Sequence, residues 1–179
     1  VNPNPARFDL KKCTSINGDW IRYLEPTDLL ERLVPFVESA GVTSMPITLE
    51  ERDRLTQVIP LIQERLDTLG AASEIIAFLF IPAAQVHIDP DLWTTESVQV
   101  LQTVGDVLEQ LEAWNADVIQ DALRESLVVG LSLKPKRAVG PVRTAICGRK
   151  ISPPLFESME ILGKAESLLR IENATTQAV

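Results

Sequence analysis

The amino-acid sequence predicts an all-α protein built from two small helical bodies. Apolar residues recur every three or four positions along most of the chain, and the alternating pattern of a half-buried strand is scarcely seen. Proline and glycine divide the chain into segments of helix length. The 179 residues are 45% hydrophobic, so the chain has enough apolar side chains for one large core or two small ones.

The first two predicted helices have recognisable boundaries. Residues 8–23 predict a helix that is interrupted or bent at Asn17-Gly18. A proline follows, and a second helix begins with Thr27 as its predicted N-cap. Gly41 is the predicted C-terminal stop of that second helix.

The third predicted helix begins with a capping box. Thr48 and Glu51 have the spacing at which each side chain satisfies a backbone N–H of the other residue. Pro60 predicts a kink in this helix, and Gly70 its end. Residues 73–80 are nearly uncharged and predict a short buried helix.

The stretch 81–93 contains two prolines and is the predicted boundary between the two bodies. Beyond it, apolar periodicity predicts a long helix from Thr94, a second helix over 114–133 and a third over 139–147. These segments are expected to form the core of the second body.

The last part of the chain begins with Ser-Pro-Pro at 152–154, a composition typical of a helix start. Ser152 is the predicted N-cap, and Gly163 the predicted stop. A last helix over 164–172 is expected to lead into a frayed polar tail.

The sequence offers no catalytic or metal-binding motif. Cys13, Cys147 and the single histidine, His87, lack the spacing of a zinc site or of a disulfide framework. There is no glycine-rich phosphate loop, and no Ser or Cys nucleophile stands beside a basic partner in sequence. We therefore expect no active site and no metal ion in this chain.

The ends and the apolar runs of the chain bear on its location. No apolar run is long enough to cross a bilayer, and no signal-peptide pattern opens the sequence. We expect a cytoplasmic monomer without a membrane partner. The chain starts at Val1 without a methionine, which suggests a fragment of a longer protein.

The charge is unevenly distributed along the chain. The formal net charge of -8 argues against nucleic acid as a ligand, because phosphate contacts need cations. However, residues 126–156, here called the basic window, contain no acidic residue and six basic ones: Lys134, Lys136, Arg137, Arg143, Arg149 and Lys150. Such a dipolar distribution steers a polyanion to one face. The alternative, a basic face that contacts only solvent, stays open.

The basic window ends at the helix start after Ser-Pro-Pro. Because the two prolines lack an N–H, Leu155 and Phe156 carry the first free donors, and a helix N-terminus binds phosphates or base acceptors. The bases expected nearby are Arg143, Arg149 and Lys150. An ordinary helix start with incidental charge is the alternative. Arg65 likewise allows a plain interpretation, as a cation that complements the C-terminal dipole of the third predicted helix.

Several stretches resemble the discrete bacterial glutamyl-tRNA synthetases, which are class I enzymes, and the resemblance covers essentially the whole chain. The matching stretches are residues 8–12, 16–22, 65–69, 139–148, 152–157 and 161–164. The stretch 65–69 is similar to the Arg-aromatic-Asp-Thr-Leu element of the family, and 139–157 to its carboxy-terminal signature. The chain departs from the family pattern at Leu66, where an aromatic residue is common, and at Pro154, where glycine is common.

The resemblance implies an anticodon-binding fragment of a glutamate-tRNA ligase. In the family, an amino-terminal Rossmann domain uses ATP and Mg²⁺ to attach glutamate to its tRNA, and the motifs of that domain do not occur here. The fragment would hold no cofactor, and its partner would be the anticodon arm of tRNA(Glu). The implied divisions are the end of a stem-contact region over 1–25 and helical anticodon-binding domains over 26–93 and 94–179.

The resemblance also implies roles for single residues. Arg65 would help to read the third anticodon base, and Thr68 belongs to the same element. Arg143, Ser152 and Leu155 would contact the anticodon. With two further bases of the basic window, the predicted tRNA-binding residues are Arg65, Thr68, Arg143, Arg149, Lys150, Ser152 and Leu155. We expect them to converge on one concave side.

A second hypothesis is a helical scaffold that binds other proteins through its acidic surface. It predicts an exposed apolar groove and a protein partner in place of RNA. A third hypothesis, an independent enzyme, has almost no support, because no catalytic motif occurs in the sequence.

Overall fold

The structure, a computed structural model, describes residues 9–178, and within this range it contains helices, turns and loops but no strand. The prediction of an all-α chain is confirmed. The α-helices of the described range are α1 (Leu10–Tyr23), α2 (Pro26–Ser39), α3 (Leu49–Ile62), α4 (Leu69–Ile76), α5 (Ser97–Glu109), α6 (Ala116–Leu123), α7 (Pro135–Cys147), α8 (Leu155–Leu162) and α9 (Lys164–Gln177). Short 3-10 turns lie at 63–65, 77–79, 83–85 and 90–92, and a π-helical segment, Arg124–Gly130, continues α6.

The chain forms two compact units that divide between Glu74 and Ile75, which is earlier than the boundary that the prolines of 81–93 predict. The physical reason is that the stretch after Ile75 joins the core of the second unit. Phe78 and Leu79 are 2% and 0% exposed, and the carbonyl oxygen of Ile81 accepts a hydrogen bond of 2.6 Å from the α9 side chain Arg170. The prolines of 81–93 therefore lie in turns within the second unit, and not at the boundary between the two units.

In the first unit, α2 packs on α3. Both helices contribute leucine, isoleucine and valine side chains that are at most 1% exposed: Leu29, Leu33, Val37, Leu55, Val58, Ile59 and Ile62. These apolar residues follow the spacing of an amphipathic helix, so burial of one face per helix accounts for the packing.

The structure corrects three predictions about the helices of the first unit. Thr27 is not an N-cap, because α2 begins one residue earlier with Pro26 at its first position, where the missing N–H costs nothing. Gly70 does not end α3; it lies inside α4. Asn17-Gly18 does not interrupt α1, which is continuous from Leu10. The predicted start of that helix at Phe8 lies outside the described residues.

Two predicted signals of the first unit are confirmed. Gly41 ends α2 in the left-handed region, with φ of 67°, and the next N–H, of Val42, reaches back to the carbonyl oxygen of Val37 at 2.9 Å. The capping box is also present, since Thr48 Oγ1 accepts from the N–H of Glu51 at 3.2 Å and a Glu51 oxygen accepts from the N–H of Thr48 at 2.9 Å.

The second unit is organised around α5, which packs against α9 and α7. Its core side chains Val100, Leu101, Val104 and Leu108 are fully buried. Helix α7 starts at Pro135, four residues before the predicted start, so Gly140-Pro141 lies inside the helix. Helix α9 continues to Gln177 in place of a frayed tail after residue 172.

Glu51 makes the start of α3 sensitive to acid. Although burial raises the pKa of Glu51, hydrogen bonds from the N–H groups of Thr48 and Ser44, each 2.9 Å, outweigh it and hold this pKa below its usual value. A carboxyl group whose pKa is lowered by folding stabilises the folded state above its unfolded pKa of about 4.3. That stabilisation is lost as the pH falls through the lower, folded pKa.

We therefore predict that Glu51→Gln lowers the free energy of unfolding at pH 7 by roughly 0.3–1.5 kcal/mol. The variant should also lose less stability than the parent chain as the pH falls below about 4.3. Urea unfolding followed by circular dichroism measures both effects. Glu50→Gln is the matched control, because Glu50 lies in the same helical turn but its side chain accepts from no backbone N–H within the described residues and forms one exposed ion pair there, with Arg54 at 3.4 Å. Equal losses in the two variants would contradict the capping role.

Candidate nucleic-acid interface

The bases of the basic window lie on one side of α7 and on the loop that follows it. The opposite side of α7 belongs to the core, where Val142 and Ile146 are fully buried. Lys136, Arg137 and Lys150 are exposed, whereas Arg143 is half-buried. The helical period therefore separates the apolar face from the basic face, as in an amphipathic helix at a protein surface.

A cleft of about 660 Å³ runs beside this basic face of the second unit. Its volume lies within the range of small-molecule binding sites, which is about 300–1,000 Å³. Its cationic lining residues are Lys136, Arg137, Arg143 and Lys150, and its apolar ones include Leu92, Val139, Pro141 and Ile151. We call it the α7 cleft. A ligand with both a flat apolar surface and negative charge matches this lining.

One carboxylate partly balances the charge of the α7 cleft. Glu96 forms an ion pair with Arg137 across the rim, and both residues line the cleft. The pair leaves Arg137 in a fixed position at the edge. Of the cations that line the cleft, Arg137 is therefore paired with an acid, whereas Lys136 and Lys150 are exposed to solvent.

Arg143 is held by the loop between α7 and α8. Its Nη1 donates to the hydroxyl oxygen of Ser152 and to the carbonyl oxygen of Pro153, the latter at 3.1 Å. Ser152 in turn donates to the same Pro153 oxygen at 2.9 Å. The structure thus brings together two predicted site residues, Arg143 and Ser152. It also corrects the predicted cap, because the N-cap position of α8 belongs to Pro154 and Ser152 is used to hold the arginine.

The start of α8 presents backbone N–H groups that have no partner within the helix. The first hydrogen bond of the helix joins the N–H of Ser158 to the carbonyl oxygen of Pro154, at 3.1 Å, so the N–H groups of residues 155–157 precede the helical ladder. The side chain of Leu155 is 2% exposed and lies in the core. Any ligand contact of Leu155 is therefore limited to its backbone. Glu157, the first residue after the basic window, places a carboxylate in this first turn.

Gly148 sets the direction in which the exposed bases Arg149 and Lys150 leave α7. It has a φ of 70°, and its N–H donates to the carbonyl oxygen of Thr144 at 2.8 Å. A Cβ at this position would lie 2.7 Å from the carbonyl oxygen of His87. Only glycine fits both the left-handed backbone and this close approach. The backbone of His87 therefore shapes the loop, while its side chain is exposed.

Arg65 and Thr68 belong to the first unit. Both are exposed, while Leu66 between them is fully buried. Helix α3 ends at Ile62, and Arg65 lies in the 3-10 turn that follows it directly, so the interpretation of Arg65 as a cation near the C-terminal end of this helix stays open. Leu66, which departs from the family pattern, packs its side chain in the core and so holds this turn in place.

The predicted site residues thus form two clusters, one in each unit. Sequence reasoning missed the apolar part of the α7 cleft, above all Ile151, which is 83% exposed between Lys150 and Ser152. An apolar residue within a basic loop is a signal that could have indicated a surface for stacking bases. Leu92 gave no such signal, because it lies far from the window in sequence.

Metal-ligand clusters and membrane-spanning helices are both absent from residues 9–178. In that part of the chain no group of three or more His, Cys, Asp or Glu residues is arranged to hold a metal ion. None of the helices described there combines the length and the apolar character that a membrane span needs.

Comparison with known proteins identifies the family. A family model described as an anticodon binding domain matches residues 28–175, which is most of the chain and includes parts of both units. The chain belongs to the anticodon-binding domain family. This membership does not favour the alternative of a protein-binding scaffold.

Curated relatives agree with this family and confirm the resemblance to glutamyl-tRNA synthetases. A glutamate--tRNA ligase of Kocuria rhizophila is 45% identical over 96% of this anticodon-binding chain. Another, of Leifsonia xyli subsp. xyli, is 46% identical over the same share. The chain spans 34% and 36% of these two relatives, so about a third of their length.

A solved structure shows the same fold. The glutamate tRNA ligase of Elizabethkingia meningosepticum, in complex with its amino acid, superposes with a TM-score of 0.80 and 19% identity. The match covers 98% of the anticodon-binding chain and 34% of that structure. The helical arrangement is therefore one already known for this family.

Cys147 offers a direct probe of the loop that holds Arg143. Burial, opposed by a hydrogen bond with Ser152 and by the charge of Arg143, raises the pKa of the Cys147 thiol to about 11. Because the thiolate is the reactive form and only about one thiol in a thousand is ionised three pH units below its pKa, Cys147 is expected to react slowly at pH 8. The other cysteine, Cys13, is exposed.

We predict that in a Cys13→Ser variant the remaining Cys147 reacts slowly with iodoacetamide at about pH 8, and that adding Arg143→Lys raises the rate, because lysine keeps the positive charge that lowers the Cys147 pKa but lacks the rigid guanidinium that holds the Ser152 loop. Mass spectrometry over time measures the rate. Arg124→Ala, at an exposed position of the same unit, is the control. An unchanged rate in the Arg143 variant would mean that the arginine does not hold the loop.

Proposed function

We propose that this chain recognises the anticodon of tRNA(Glu) as part of a glutamate-tRNA ligase. The proposal rests on the anticodon-binding family match over residues 28–175 and on relatives named glutamate--tRNA ligase. The single structural observation that supports it is the α7 cleft, with cations and apolar walls in one place. Activation of glutamate with ATP and Mg²⁺ would belong to the remaining two thirds of such a ligase.

The chemistry of the α7 cleft suits unpaired nucleotides. Single-stranded bases offer flat faces that stack on apolar side chains and guanidinium groups, and each carries a phosphate. Ile151 and Val139 supply apolar surface, and Lys136 and Lys150 supply charge. Arg143 is fixed by Ser152 and Pro153, so little conformational freedom is lost when it contacts a base.

Arg65 is the second recognition element of the proposal. Its guanidinium is exposed on a turn whose neighbour, Leu66, is fully buried. A fixed turn with an exposed arginine suits a direct contact to the edge of one base, because arginine offers several donors in a rigid plane. We assign it the third anticodon base, with Thr68 beside it in the same element.

The net charge of -8 contributes to selection. An acidic surface repels RNA that docks away from the cations, while the basic window attracts it. We propose that the chain works in the cytoplasm as a monomer, with tRNA as its partner.

We predict that Arg65→Ala reduces the preference for tRNA(Glu) over a tRNA that differs only at the last anticodon base. The loss should be about 1–3 kcal/mol, which is the discrimination that one good bidentate contact provides. Filter binding with the two RNAs measures it. Arg32→Ala, an exposed arginine on α2, is the matched control. Unchanged discrimination in the Arg65 variant would refute its assigned role.

A second prediction concerns Arg143. Its replacement by alanine removes the contact to a base and also releases Ser152, so affinity for tRNA(Glu) should fall by about 1–3 kcal/mol. Arg124→Ala serves again as the control, because it lies outside the α7 cleft.

Salt dependence tests the electrostatic part of the proposal. The logarithm of the affinity should fall steeply and linearly with the logarithm of salt concentration, and Lys150→Ala should reduce the slope by about 0.7, as expected for one contact to a single-stranded phosphate. A flat salt response in the parent chain would count against the basic window.

A further inference from the structure

The turn that carries Arg65 is attached to the end of α1. Gln63 opens this turn, and its Nε2 donates to the carbonyl oxygen of Ile21 at 2.9 Å and to that of Leu24 at 2.8 Å. These carbonyl groups lie at the C-terminus of α1, where a helix leaves its last carbonyl groups short of partners, although that of Ile21 also accepts from the N–H of Leu24 at 3.2 Å. One side chain therefore satisfies the helix end and fixes the chain two residues before Arg65.

A second attachment follows two residues after Arg65. Asn17, in the middle of α1, donates from Nδ2 to the backbone oxygen of Asp67 at 2.6 Å. Between the two attachments, the side chain of Leu66 is fully buried. The backbone on both sides of Arg65 is thus fixed, and the arginine itself is exposed.

Gly18 makes this close approach of α1 and the turn possible. A Cβ at position 18 would lie 2.8 Å from Oδ1 of Asp67 and 3.2 Å from Nη2 of Arg22. Gly18 has a helical backbone and is buried. A glycine inside a helix costs stability, and at this place it leaves space for the side chains of Asp67 and Arg22.

The contacts between α1 and the turn contribute more to the position of the turn than to the apolar core of the first unit. Gly18 and Ile21 are the buried residues of α1, and among the described elements the 63–65 turn is its main packing partner. The apolar core of the unit comes instead from α2 and α3. A change on α1 that disturbs the contact is therefore expected to shift the turn while α2 and α3 stay packed.

We propose that Asn17 and Gly18 are positioning residues that hold Arg65 in the orientation needed to select the last anticodon base. The inference rests on the proposed function of Arg65 and adds the residues through which that selection depends on α1. Neither residue needs to touch RNA, because Asn17 holds the backbone of Asp67 and Gly18 leaves space for the Asp67 side chain.

The test uses Asn17→Ala and Gly18→Ala in the 179-residue chain. Alanine is a better helix former than either residue, so α1 itself should persist. The measurement is the ratio of affinities for two anticodon hairpins, one with C and one with G as the last anticodon base. We expect the ratio to fall by about fivefold or more in both variants, in the range of a typical coupling between sites.

Two controls separate positioning from a general loss of structure. Gly105→Ala places a methyl group 3.9 Å from its nearest neighbour in a helix of the second unit, and Thr56→Ala removes a hydroxyl that bonds only within α3. Both should leave the ratio unchanged. In an Arg65→Ala background, Asn17→Ala should have no further effect on the ratio, because it acts through the arginine. Thermal unfolding of each variant checks that the first unit stays folded.

The outcomes distinguish the two proposals. If Arg65→Ala lowers the ratio and the two α1 variants do not, Arg65 reads the base without help from α1, and the positioning role is wrong. An Asn17→Ala effect that persists unchanged in the Arg65→Ala background overturns it as well. If Arg65→Ala itself leaves the ratio unchanged, the proposed function of Arg65 fails, and the positioning role fails with it.

Discussion

The second unit depends on one buried cation. Arg170 is 1% exposed, and its guanidinium donates to the carbonyl oxygens of Ile146, at 2.7 Å, and Ile81, at 2.6 Å, and to a carboxylate oxygen of Glu166, at 2.9 Å. A buried charge is tolerated only when its donors are satisfied, and removal of its partners costs several kcal/mol, about 3–5 in known cases. The three acceptors are therefore fixed in place. They tie the stretch after Ile75 and the last turn of α7 to α9.

This constraint carries through to the basic face. Ile146 lies in the last turn of α7, two residues before Gly148, where the chain turns and the exposed bases of the loop begin. Arg143 lies one turn earlier and is held from the other side by Ser152. The cations of the α7 cleft thus extend from a backbone whose position the buried arginine determines. A site built in this way loses little conformational entropy when it binds, which favours selectivity over adaptability.

The features that the sequence predicted are the ones with short-range causes. The capping box at Thr48 and the left-handed glycine Gly41 depend on residues at most a few positions away, so a linear pattern contains them. Two of the errors involve partners outside the local helix. The amide of Asn17 bonds a residue 50 positions away, and Ser152 bonds an arginine nine positions away in place of its own helix. Local sequence predicted a helix interruption or bend at Asn17-Gly18 and an N-cap at Ser152. In the structure both polar side chains instead form contacts outside their own helix.

The carboxylates near the α7 cleft determine which RNA it suits under the proposed function. Glu96 pairs with Arg137 at the rim, and Glu157 lies in the first turn of α8, so the local positive charge is moderate. Duplex RNA presents mainly phosphates and would gain only this moderate attraction. A loop with splayed bases adds stacking on apolar surface such as Ile151, about 1–3 kcal/mol per base. Because the moderate positive charge of the cleft attracts both kinds of RNA, the apolar side chains of the cleft are the feature that favours unpaired nucleotides over a duplex.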